Sequence, residues 1–181
     1  MLMFAAALLA SASVSAAPGP KPVGACAWGK LSAPEQTQIL DAYHEDRGAG
    51  LVVLMSMETQ VAAAIAACAP GSQAPAVFLH RALWAEMTQQ GAVRELAAHG
   101  VQRATLDAAW TAAPAARTCL RNRLGPTFGV RTPDCKDYVE VDMAKALKLT
   151  QPDAEMQASI FYLARAEGEL AESVIANSPF D

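Results

Sequence analysis

LVVLMSMETQVAAAIAAC, from Leu51 to Cys68, is the stretch on which the fold reading turns. Only Ser56, Glu58, Thr59 and Gln60 interrupt its apolar run, and they sit together near the middle. As one helix it extends roughly 27 Å, at about 1.5 Å per residue. A helix that is apolar all round belongs in the centre of a bundle or in a membrane. The four polar residues at mid-span argue for the bundle, because a charge at the bilayer centre costs about 3 kcal/mol even on lenient scales. Cys68 at its end points to a covalent tie to another part of the chain.

Outward from that stretch, the composition favours helix throughout. Of 181 residues, 52% are hydrophobic and 18% charged. That is ample for one domain with its own core and is unlike a disordered chain. The chain is rich in alanine, the strongest helix former, and poor in β-branched runs. A formal charge of −4 is too mild to draw nucleic acid by bulk electrostatics. No internal repeat, strand pattern or domain boundary stands out. The expected architecture is all-α: an irregular single-domain bundle of six or seven helices spanning 31–177.

The first residues, MLMFAAALLASASVSAAPGP, read as a secretory leader over 1–17, cut after Ala16 or Ala17. No Lys or Arg precedes the apolar run. That run is shorter than the ~20 residues a membrane span needs, so no span is expected once the leader is removed. Four cysteines in an exported chain imply disulfides. Of the three possible pairings, Cys26–Cys68 with Cys119–Cys135 is expected, because it closes the shorter loops, with separations of 42 and 16 residues. Each stabilises by roughly 3–4 kcal/mol in the chain-entropy view. The cysteines lack the close pairs of a structural zinc site and the Cys-x-x-Cys of a redox enzyme.

Residues 18–30, PGPKPVGACAWGK, hold three prolines and read as an extended segment, with Trp28 and Leu31 tucked against the core. SAPE then opens a helix, with Ser32 as cap and Glu35 completing a capping box. Gly48 and Gly50 are expected to stop it. The short link makes it an antiparallel hairpin with 51–68, clamped by the Cys26–Cys68 bridge. Residues 69–75 break the chain. A third helix is expected from Pro75 to Gln90, kinked or ended at Gly91, with a short piece running on to His99. A turn or two at Thr105–Trp110 follows, then a helix from Pro114 to Leu124 and a loop over 127–135. A helix from Asp134 to Leu149 comes next. The last helix is capped by Thr150, with Pro152 in its first turn. Met156, Ile160, Leu163, Leu170 and Val174 stripe it, with Glu167 as the one polar member.

Several residues qualify as candidate sites. His44, Glu45 and Asp46 stand together and could take a metal with His80 or His99. Adjacent helical residues point apart, so a second segment is required, and a His near a helix C-terminus is more simply a dipole contact. Met55, Met57 and Met87 could be soft copper ligands or ordinary core filling. Glu58, if buried in the apolar helix, would have a raised pKa suited to a general acid; otherwise it marks a wet helix edge. The strongest signal is basic. Arg117, Arg121, Arg123, Arg131 and Lys136 cluster around the Cys119–Cys135 pair. Arg117 and Arg121 share a helix face and suit bidentate capture of an anionic ligand or an acidic partner surface. The alternative is a solvated helix end paired to the acidic last helix.

No Ser-His-Asp order, second carboxylate or phosphate-cradling glycine loop accompanies these residues. The expectation is therefore an exported, periplasmic or secreted binding protein that is not an enzyme and needs no cofactor. An inhibitor, an immunity-type protein or an accessory envelope component fits that description. The partner would be an envelope protein or an anionic ligand. The rival expectations are a metal-binding protein or small enzyme using Glu58 or the His44 cluster, and a purely structural envelope component.

Overall fold

The computed structural model describes residues 21–129, 135 and 138–177. The expected leader, Arg131 and Lys136 lie outside the described residues. Within them the chain is all-α, with no strand and both expected disulfides, Cys26–Cys68 and Cys119–Cys135. Two disulfides are consistent with an oxidising compartment.

Nine α-helices occur among the described residues, more than the six or seven expected. They are α1 (Val23–Trp28), α2 (Ala33–Glu45), α3 (Arg47–Ser56), α4 (Glu58–Cys68), α5 (Ala76–Ala97), α6 (Arg103–Ala112), α7 (Pro114–Leu124), α8 (Val139–Ala146) and α9 (Pro152–Ala176). A 3-10 turn, Gly125–Phe128, follows α7.

Two departures account for the extra helices. The segment 18–30 is not wholly extended, because Val23–Trp28 is helical. Pro22 stands at the N-cap, where proline removes no helical hydrogen bond, so it starts the helix rather than forbidding it. Gly24 then lets α1 settle directly on the backbone of α5 at Ala82, where a Cβ would collide. Trp28 and Leu31 are buried, as expected.

The second departure is in the 51–68 stretch, which is two helices bent by 83° at Met57. The Ser56 hydroxyl donates to the Val53 carbonyl at 2.7 Å, and Met57 leaves helical geometry with ψ 42°. The bend aims Leu54 of α3 and Val61, Ala64 and Ile65 of α4 at the same core. Ser56, Glu58, Thr59 and Gln60 are left on the exposed outside of the elbow. No single described helix is long and apolar enough to cross a membrane.

The organising pair is instead α5 and α9, of 22 and 25 residues, packed along each other. Their contact faces are rich in small residues. Ala82, Ala85 and Ala92 on α5 and Ala154, Ala158, Ala164, Ala166 and Ala171 on α9 are all buried. The stripe expected on α9 is therefore only partly the buried one. Met156 is 54% exposed, while Phe161 and Tyr162 carry the core. Alanine buries little area, but it lets helix axes approach and so defines the interface here.

Other boundaries shift for local reasons. Asp46, not Gly48 or Gly50, separates α2 from α3, because its carboxylate caps α3 by accepting from the Ala49 N–H at 3.0 Å. The Ser32–Glu35 capping box forms as expected. Gly91 does not end α5, which runs on to Ala97. It makes room for the Tyr43 ring, whose carbons would lie 2.6 Å from a Cβ there. Tyr43 also lies against Gly50, and its hydroxyl donates to Gln157 at 3.2 Å. Of the helix expected from Asp134 to Leu149, whose start lies outside the described residues, α8 forms Val139–Ala146, opened by Tyr138 in the left-handed region, φ 64°. Thr150 does not cap α9; Gln151 occupies that position, with Pro152 at the first turn.

Candidate functional site

A cavity of about 580 Å³ lies where α1, α5, α6, α7 and α9 meet. Its wall is charged. Glu86 and Gln89 project from α5, only 8% and 3% exposed. Burial of such groups is costly unless they are hydrogen-bonded. Arg103, in the first turn of α6, meets both: one Nη donates to Glu86 Oε1 at 3.3 Å and the other to Gln89 Oε1 at 3.3 Å. Gln90 also donates to Glu86 Oε1, at 2.6 Å.

The charge chain continues across the helices. Arg103 lies 3.6 Å from Asp107, one turn along α6. Arg165 on α9 lies 3.7 Å from Asp107 and 3.5 Å from Glu169. Glu169 accepts from the indole N–H of Trp110 at 2.8 Å. Glu172 accepts from the Gly24 N–H at 2.9 Å, which fixes α1 over the cleft.

These arginine contacts are long. Charge-assisted pairs close to about 2.7–2.9 Å. The Arg94–Asp41 and Arg123–Glu140 pairs elsewhere do so, at 2.6 and 2.7 Å. In the cleft the spacing is 3.3–3.7 Å. Arg165 Nε and Asp107 Oδ1 are buried with no hydrogen bond. Arg121 lines the same cleft and makes no ion pair among the described residues. The cleft thus presents guanidinium donors that its own carboxylates hold loosely.

The structure separates the arginines that the sequence grouped. Arg117 turns inward, over the Trp110 ring at 5.4 Å and 3.5 Å from Glu169. Arg123 is closed onto Glu140 of α8. Among the described members of the expected patch, Arg121 alone lines the cleft. Arg103, Arg165, Glu86 and Gln89 were not singled out from sequence. The i,i+4 pairs Arg103/Asp107 and Arg165/Glu169 were the available signal, together with polar residues on the otherwise apolar α5.

The remaining candidates are scattered. His44 Nδ1 lies 3.0 Å from Glu95, Asp46 caps α3, and His80 packs beside Trp84. Among the described residues no three His, Cys, Asp or Glu side chains converge as a metal site. Glu58 is exposed in the first turn of α4, so it lacks the apolar surroundings a general acid would need there. Met57 and Met87 are buried, whereas Met55 is 58% exposed.

Beneath the cleft, Tyr162 stacks on Trp110 with centroids 6.1 Å apart. Burial, then the nearby Asp107 charge, pushes its phenol up to about 12; burial does the same to Tyr43. Unfolded phenols ionise near 10. Raised native values mean that both rings stabilise the fold fully below about pH 10. That contribution is lost as pH rises toward about 12. Denaturant midpoints should fall over this interval, and Tyr43→Phe should flatten the fall. An unchanged slope in that variant would contradict the assignment.

No protein-family model, curated protein or solved structure matches this chain.

Proposed function

We propose that this is an exported binding protein, periplasmic or secreted, whose arginine-lined cleft holds a small ligand bearing a carboxylate or phosphoryl group. One observation carries this reading. Arg103, Arg121 and Arg165 converge on one cavity, with Arg121 making no ion pair among the described residues and the other two held at long range. An oxyanion there would supply the short, charge-assisted acceptors that the protein's own carboxylates do not. The disulfides and the apolar leader support export.

Calorimetric titration of the oxidised protein with citrate, glucuronate and inorganic phosphate tests it. At least one of the three should bind saturably. Arg121→Gln should weaken that binding by roughly tenfold to a hundredfold, the usual worth of a hydrogen bond to a charged group. Silence with all three ligands, or an affinity indifferent to Arg121→Gln, would reject the cleft.

A further inference from the structure

A second cavity, about 360 Å³, opens between α3, α5 and α9, away from the arginine cleft. Its walls are the side chains of Leu51, Trp84, Met87, Ile160 and Leu163. All but Met87 are only partly buried, so apolar surface remains turned toward the groove. Two opposite charges border it, Arg47 at the start of α3 and Glu167 on α9.

These two charges do not close on each other. Neither makes a hydrogen bond or ion pair among the described residues. Each still feels the other's field, since Arg47, like Arg81, favours the charged form of Glu167. Burial outweighs both arginines and holds the Glu167 carboxyl above its ordinary range. A half-buried carboxylate so poorly compensated gains from a cation set directly against it. Arg47 is exposed and offers a planar fork of donors suited to a carboxylate.

We propose that this groove binds a free α-amino acid with a large apolar side chain, its ammonium on Glu167, its carboxylate toward Arg47 and its side chain between Trp84 and the aliphatic wall. Ligand sites of this kind combine mostly apolar walls with a few polar groups that fix orientation. A simple amine leaves Arg47 without its anion. A simple fatty acid faces the Glu167 charge. A zwitterion meets both ends at once, and the volume suits a leucine- or phenylalanine-sized molecule. The placement is independent of the arginine cleft and does not rest on it.

The experiment compares four ligands on the oxidised full chain by isothermal titration: L-leucine, L-phenylalanine, isoamylamine and 4-methylpentanoate. The last two are leucine without its carboxylate and without its ammonium. One or both amino acids should bind saturably, and each truncated analogue should bind roughly tenfold more weakly or worse. Glu167→Gln and Arg47→Met should each cause a loss of that size, with melting temperatures checked alongside. Quenching or enhancement of fluorescence on binding should vanish in Trp84→Phe. The assignment is overturned if neither amino acid binds, or if either truncated analogue binds as well as leucine. It also fails if affinity survives both charge-removing variants. The analogue arms need no variant, so a folding defect in a mutant leaves the test intact.

Discussion

Replacing Cys26 and Cys68 with serine lowers the unfolding free energy by about 4 kcal/mol, the largest loss expected from removing any one crosslink in this chain. The bridge closes 42 residues, and its Cα atoms lie 5.8 Å apart. Without it, the unfolded ensemble regains the freedom of that whole loop. The native state also loses its hold on α1, a helix of only six residues. So short a helix has no stability of its own in water. What remains is the seating of Gly24 on Ala82, burial of Trp28, and the Gly24 N–H donated to Glu172. Small domains have total stabilities of roughly 5–15 kcal/mol, so such a loss is a large fraction of the whole. Urea denaturation of the double-serine variant against the oxidised parent reads it directly. A difference below about 1 kcal/mol would mean that the loop is already ordered in the unfolded state, contrary to the chain-entropy account. Because α1 roofs the arginine cleft, ligand binding there should weaken in the same variant.

Trp110→Ala is the second large effect, about 3–5 kcal/mol, the usual range for deleting a buried aromatic. Trp110 is 2% exposed and stacks on Tyr162. Its loss opens a cavity in the cluster built from Leu96, Leu106, Leu120 and Phe161. It also strips two polar groups of their company. Glu169 loses its shortest donor, at 2.8 Å, and Arg117 loses the ring beneath it. Trp110→Phe separates the two causes. It keeps most of the packing but removes the N–H, and should cost about 1 kcal/mol, the net worth of one hydrogen bond to a carboxylate that keeps its arginine neighbours. Denaturant midpoints for both variants decide the matter. If Phe costs as much as Ala, packing is not the main term. If Phe costs nothing, the Glu169 hydrogen bond contributes nothing net.

The arginine run shows how far residue spacing reaches toward a site. Arg117, Arg121 and Arg123 lie so close in sequence that a shared surface was the simple reading. On α7, however, one points at Trp110, one into the cleft and one at α8. Adjacent helical positions diverge by about 100° per residue, and which direction meets a counter-ion depends on neighbours far along the chain. Arg103 and Arg165 are 62 residues apart in sequence and meet in the cleft on either side of Asp107. Glu167 breaks an apolar stripe in the sequence, and in the fold it borders an apolar groove opposite Arg47.

The order of residues alone settled the helical class, through alanine content and the lack of strand alternation. It favoured the two disulfide pairings that form, through loop length, and pointed to the start of α2, through Ser32 and Glu35, because these depend on chain statistics or on neighbours within one turn. The bend at Met57, the inclusion of α1, the continuation of α5 past Gly91 and the meeting of charges in the cleft were decided by tertiary packing. Each rests on the fit between surfaces brought together from distant positions: Tyr43 into the space left by Gly91, Gly24 onto Ala82, and Leu54 with Ile65 onto one core. Local propensity is weak beside such burial, and no window of sequence contains both faces of a contact.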